Sequence, residues 1–238
     1  MRAGMRNDDA DLVTQFARLY YAGADAEELA RRDPRDLVGA AAAHLELGRR
    51  YAGGAAKLHV FNPRLEEHGW QSTHTVVQIV GADMPFLVDS TTMEMNRLGL
   101  TLHLVLHPVL RAARDAQGRL QDVAPPAAQG EGRLESFMHL EVDRQTEPAR
   151  LREIEQGAAR ALADVAAAVA DWKPMQERLR ALVEELAAPQ APLDAAQARE
   201  ARAFLAWLLD NHMTLLGYRD YDLVREGGED VLRVVQGS

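Results

Sequence analysis

The residues Asp83-Met84-Pro85-Phe86-Leu87-Val88-Asp89-Ser90 join an alternating apolar run, Thr73 to Val80, to an amphipathic run, Phe86 to Leu98. A strand-to-helix turn of this kind aims backbone N–H groups at a helix start, where a small anion such as a carboxylate can dock. The chemistry on offer is ligand recognition, not bond making. Asp83, Met84, Pro85, Phe86 and Leu87 are the candidate ligand-binding residues. Structural roles also account for the motif, with Asp83 as helix N-cap and Pro85 in the first turn. Asp89 and Ser90 read as structural or solvent-facing.

A second set of chemistry-bearing side chains lies on two strand-like runs. Leu102, Leu104 and Leu106 alternate with His103, Val105, His107 and Val109. Leu134, Met138, Leu140 and Val142 alternate with Glu135, Phe137, His139 and Glu141. Period-two alternation puts each set on one side of a sheet. The leucine-bearing sides are expected to pack under helices. The other side would gather His103, His107, His139, Glu135 and Glu141, with His74 and Gln78 nearby. It reads as a half-polar outer face, or one covered by another subunit or by the N-terminal helices. His103, Val105, His107, Phe137 and His139 are its candidate interface residues. Histidine beside glutamate also suggests a metal. On a strand, however, His103 and His107 are about 13 Å apart, too far to share one ion. No metal site is assigned.

Composition narrows the chemistry further. The 238 residues hold no cysteine, which excludes disulfides, thiolate catalysis and cysteine-bound zinc. Gly130-Glu131-Gly132 is followed by Arg133-Leu134-Glu135 and precedes a strand, so it is no dinucleotide fingerprint. Lys57 and Lys173 are the only lysines, and neither sits in a Gly-rich or strand-end setting. No catalytic residue is assigned. A net charge of −9 argues against nucleic acid or anionic membrane as the main partner. No run approaches the roughly 20 apolar residues of a membrane span. Met1 to Asp11 lacks the apolar stretch of a secretory leader. The chain reads as soluble and cytoplasmic, with enough hydrophobic residues (47%) to bury a core.

The elements that must hold these residues follow from patterning. Leu12, Val13, Phe16, Leu19 and Tyr20 recur at helical spacing. Asp33-Pro34-Arg35-Asp36 starts a helix that runs to about Tyr51 and stops at Gly53-Gly54. Lys57 to Phe61 reads as a short strand. A strand over 73–80, a helix over 85–98 and a long strand over 100–114 come next. A turn at Asp115 to Gly118, a loop from Ala124 to Gly132 and a strand over 134–142 follow. A helix capped by Thr146 runs until Pro174 interrupts it, and another covers Met175 to Ala187. Pro189 and Pro192 break the chain again, and Asp194 caps a last helix to about Asn211. Thr214 to Leu223 and Val231 to Val235 read as strands joined across Gly227-Gly228. Trp70, Trp172 and Trp207 read as anchors between helices and sheet.

The order strand, helix, strand, strand, helix, with a fourth strand arriving at about 214–223, predicts an α+β, ferredoxin-like sandwich. Its antiparallel sheet would carry helices on one face, with N-terminal and C-terminal helical additions. Residues 1–56 form the N-terminal helical segment, 57–172 the sandwich and 173–212 a helical extension. Residues 213–238 are a terminal strand pair that completes the sheet or starts a further domain.

Three motifs in succession carry a family resemblance: Asp83 to Ser90, Glu94-Met95-Asn96-Arg97-Leu98-Gly99-Leu100, and His103-Leu104-Val105-Leu106-His107-Pro108-Val109. They resemble the N-terminal region of the large bacterial NAD-specific glutamate dehydrogenases. Phe61-Asn62-Pro63, Gly69-Trp70, Glu135 to Glu141, and Asn211 to Arg219 agree, so the likeness covers about Asp8 to the end. The resemblance implies an ACT-like fold, tied to amino-acid sensing and subunit contact. It also implies a polypeptide several times longer, with its dehydrogenase core far downstream. NAD would be the cofactor of that parent, and no cofactor would belong to this region. The implied partners are further copies of the chain, the parent's downstream domains and an amino-acid effector. One departure stands out. ACT domains often read Asp-x-Pro-Gly where this chain has Asp83-Met84-Pro85-Phe86. The glycine lets backbone close on a ligand, whereas a ring there plugs the site or demands another pose.

Overall fold

Thr75–Ala82 is buried along almost its whole length, and the first unit of the structure is built around it. The computed structural model describes residues 7–188 and 194–236. The chain divides into two units, residues 1–165 and 166–238. The first begins with helices α1 (Asn7–Tyr20), α2 (Ala26–Ala30) and α3 (Pro34–Gly48). Strand β1 (Lys57–Phe61), a short α4 (Leu65–His68), β2 (Thr75–Ala82) and α5 (Leu87–Arg97) come next. Then follow β3 (Leu102–Leu106), β4 (Val109–Arg114), β5 (Leu120–Ala124), β6 (Arg133–Val142) and α6 (Pro148–Ala170).

The strands form one antiparallel sheet in the order β1-β2-β6-β4-β5, with β3 also paired to β6. This is the expected α+β architecture, with three differences. The long strand over 100–114 is two strands, β3 and β4, separated at His107-Pro108. Pro108 has no N–H for the ladder, although its carbonyl still accepts from the Phe137 N–H at 3.0 Å. The position beside β2 is filled by β1, paired from Lys57↔Val80 to Phe61↔Val76. The sheet therefore takes its fourth strand from upstream, where a short connection makes consecutive strands neighbours. Residues 214–223 do not supply it. β7 (Tyr221–Glu226) pairs with β8 (Glu229–Val234) in a separate hairpin across Gly227-Gly228. Finally, helices cover both faces of the sheet, not one.

Register decides which residues share a face. Phe137 opposes Val80, His139 opposes Gln78 and Leu106, and Glu141 opposes Val76 and Leu104. Opposed residues in a ladder point the same way. The side bearing Glu135, Phe137, His139 and Glu141 therefore also bears Leu104 and Leu106, and α1 and α3 lie on it. Leu12, Phe16 and Tyr20 of α1 join Ala41 and Leu45 of α3, with Val80, Leu106, Leu110 and Phe137, in one buried cluster. Phe16 meets the Phe137 ring edge-on at 5.0 Å. Gly39 and Gly48 permit this approach of α3. A Cβ on Gly48 would stand 2.4 Å from the Phe137 ring, and one on Gly39 2.3 Å from Trp70. On the other side, Val77, Ile79, Met138 and Leu140 lie under α5 and α6, whose buried residues include Met95, Ile154 and Ala158.

The second unit takes in α7 (Trp172–Glu185), α8 (Ala195–Trp207) and the β7–β8 hairpin. Pro174 lies in the first turn of α7, where the amide it lacks has no helical partner, so the helix break falls at Asp171 instead. Asp194 and Gln197 form a capping box at the start of α8. Pro189 and Pro192 lie outside the described residues. Trp207 is no anchor between helix and sheet. It is 49% exposed and stacks between Phe204 and His212. Among the described residues no helix is long and apolar enough to cross a membrane.

Candidate functional site

β2 ends at Ala82 and α5 begins at Leu87, which leaves Asp83-Met84-Pro85-Phe86 as the turn. Asp83 is not the helix cap. Its backbone N–H donates to the Leu134 carbonyl at 3.1 Å, which prolongs the β2–β6 pairing. The capping position belongs to Phe86, held in the left-handed region at φ +70. That conformation costs a residue with a Cβ about 1–2 kcal/mol. Phe86 thus replaces a glycine in type while keeping a glycine's backbone geometry. Its ring is 40% exposed. Among the described residues no side chain caps α5, so its first amides remain open at the turn. Burial lowers the pKa of His107, and the charge of Asp83 opposes that shift.

The five residues expected to form one interface face are dispersed. Phe137 and His139 share a side, but α1 and α3 cover it within the chain. Val105 opposes Leu140 and faces the other way. His103 occupies a bulge between Leu102 and Leu104, its ring stacked on His74 at 4.2 Å and its Nε2 2.8 Å from Asp143 Oδ1. His107 stands at the break between β3 and β4. Alternation gives the two faces of each strand separately. It does not say which face of β3 adjoins which face of β6, because that depends on register.

The carboxylates on the covered side are paired inside the chain. Glu135 is fully buried and held by Arg114 through two bonds, Nε at 2.8 Å and Nη2 at 2.7 Å. Glu141 Oε1 accepts from Arg32 Nη1 at 2.8 Å, with His139 Nε2 3.6 Å away. His74 Nδ1 lies 3.2 Å from Glu141 Oε2. Burial alone would raise the Glu141 pKa. Hydrogen bonds and charge from His139 and Arg32 outweigh it and hold the group at about 2. His44 Nε2 donates to the Ile79 carbonyl at 3.1 Å, so its Nδ1 accepts from the Tyr20 hydroxyl at 2.9 Å. Burial, and then the neighbouring His139, push His44 well below its ordinary pKa and keep it neutral.

Arg32, Arg114, His44 and Tyr20 were not foreseen as partners of these strands. One signal was available: acidic residues on a strand face demand cations, and arginine supplies nearly all the positive charge. A cavity of 430 Å³ opens over the paired groups, lined in part by Arg32, Leu37, Trp70, His74, His139 and Glu141. Among the described residues no three metal-ligating side chains converge.

Residues 16–158 match the family described as "Glutamate dehydrogenase, ACT1 domain". The chain belongs to this family. The ACT1 match starts within α1 and ends within α6, so it includes the N-terminal helices that cover the sheet. The chain is similar to the NAD-specific glutamate dehydrogenase of Halomonas elongata, 43% identical over 240 residues, across 100% of this chain and 15% of that protein. It is 39% identical over 215 residues to the Pseudomonas aeruginosa protein of the same description, across 90% of this chain and 13% of that one. The Mycobacterium tuberculosis protein so described is 28% identical over 179 residues, 74% of this chain and 11% of its own length. These relatives are thus much longer than the chain that matches them.

Proposed function

We propose that the chain is a non-catalytic regulatory and assembly region of a large NAD-dependent glutamate dehydrogenase, which deaminates L-glutamate oxidatively to 2-oxoglutarate. The carrying observation is coverage: the Halomonas elongata relative described as NAD-specific glutamate dehydrogenase matches the chain end to end and extends far beyond it. The sheet supports the reading. It is antiparallel throughout, whereas a dinucleotide site is built on parallel strands and crossover helices. Assembly has surfaces to use. β3 pairs with β6 alone among the described residues, and its Val105 is exposed, as is Met93 on the adjoining α5. In the second unit the apolar side chains of Phe204, Trp207, Leu223 and Leu232 are exposed and available for contact with the parent's further domains. The cytoplasm is the setting that goes with this role. The test is the purified chain incubated with glutamate and NAD, which yields no NADH. Glutamate-dependent NADH formation would sink the proposal.

An amino-acid effector at Asp83 to Leu87 is the second reading. The left-handed backbone of Phe86 and the uncapped start of α5 favour it, because both keep amides open for a carboxylate. Thermal unfolding against the twenty amino acids tests it. A selective rise in midpoint that disappears in Phe86→Pro, which cannot adopt positive φ, supports the site; no rise with any of them removes it.

A further inference from the structure

The cavity over β6 is a second candidate site, on the opposite side of the sheet from α5, and it stands apart from the regulatory reading. Its walls contain polar atoms left without partners. Glu141 is 3% exposed at its side chain and His139 2%. Glu141 Oε2 and His139 Nδ1 have no hydrogen-bond partner, although His74 Nδ1 is 3.2 Å from Oε2 without the alignment of a bond. Buried polar atoms without partners are costly, and each calls for a partner such as a bound group or an ordered water.

The orphan atoms specify the chemistry of that group. Glu141 Oε2 is an acceptor, as any carboxylate oxygen is. A buried carboxylate acceptor calls for a ligand with an N–H donor. Glu28, Asp33, Asp36 and Glu141 line the cavity with Arg31, Arg32, His74 and His139, and Arg32 is already bound to Glu28 and Glu141. The Trp70 indole N–H, also unpartnered, offers one donor for an oxygen on the same ligand. Leu37, Ala40, Leu104 and Leu106 supply apolar wall, and 430 Å³ falls in the range of small-molecule pockets. We propose that this cavity binds a small protonated amine with a short apolar body and an oxygen acceptor, its ammonium seated on Glu141 Oε2.

Three isosteric probes test this on the full chain by titration calorimetry and thermal unfolding: 5-aminopentan-1-ol, neutral pentane-1,5-diol and anionic 5-hydroxypentanoate. The aminoalcohol is expected to bind one per chain and raise the unfolding midpoint, while the diol and the acid do not. Glu141→Gln should weaken binding at least tenfold. Because that change also disturbs Arg32, Thr73→Trp, at an exposed lining residue, provides a second variant that crowds the cavity while leaving the ion pair intact. No binding of the aminoalcohol, as with a cavity that holds only water, overturns the proposal. So does equal binding of the diol or acid, or binding that survives both variants.

Discussion

Arg32, one residue beyond the C-cap of α2, donates through Nη1 to Oε1 of Glu141, 109 residues further along in β6, at 2.8 Å. The pair joins the N-terminal helices to the central sheet, and the Glu141 side chain is almost wholly buried. Removing one partner of a buried pair strands the other charge. Arg32→Ala should therefore lower stability by about 3 kcal/mol in urea unfolding. Adding Glu141→Gln should recover part of that loss, so the two changes should couple. A loss under about 0.5 kcal/mol for Arg32→Ala, the range of ordinary surface changes, would contradict a buried role.

Acid should weaken the fold in two stages. His44 has a lowered pKa in the folded chain, so below about 6.5 the unfolded chain takes up a proton that the folded one refuses. Its contribution is complete above that pH and fades as pH falls through it. Glu141 is depressed from 4.5 to about 2, so its contribution is present above pH 4.5 and is lost as pH falls toward 2. That difference corresponds to about 3 kcal/mol. Urea midpoints at pH 8, 5.5 and 3 should fall in sequence, and Arg32→Ala should flatten the lower step. A midpoint as high at pH 3 as at pH 8 would refute both assignments.

Gly48→Ala probes the seating of α3 on the sheet. The new Cβ would meet the Phe137 ring at 2.4 Å, and Phe137 is itself fully buried. Overpacking of this kind costs about 1–3 kcal/mol. Phe137→Leu on the same background should return some of the loss by making room. If Gly48→Ala were neutral in thermal unfolding, α3 would not approach β6 as closely as described.

Phe86→Gly should stabilise the chain. The left-handed backbone at φ +70 is strained for phenylalanine and free for glycine, and the partly exposed ring gives little burial in return. A gain of up to about 1 kcal/mol is expected, after allowance for the greater freedom of glycine in the unfolded chain. A loss would mean that contacts of the ring outweigh the strain.

The local elements were largely legible because their signals are local. Asp33-Pro34 starts α3, Asp194 caps α8, and Gly227-Gly228 turns the last hairpin. The chain's ACT-like character was legible in the motifs around Asp83 and His103. Properties set by long-range pairing were not. The use of β1 in place of a late strand is a matter of long-range pairing, and no residue in Lys57 to Phe61 announces it. The sides of β3 depend on its register with β6 and on the bulge at His103. Phe86 at the N-cap was hidden because its left-handed backbone defies its residue type, while Asp83 looked like the better cap.

If, as proposed, this region organises and regulates an enzyme whose chemistry lies elsewhere, that enzyme should still turn over without it. Residues 1–165 can be removed from a parent-length glutamate dehydrogenase and glutamate-dependent NADH formation measured per subunit, with the molar mass determined on the same sample. Turnover should persist at saturating glutamate and NAD, with a smaller assembly or an altered response to effectors. Abolished turnover in an enzyme of unchanged assembly and fold would contradict the proposal.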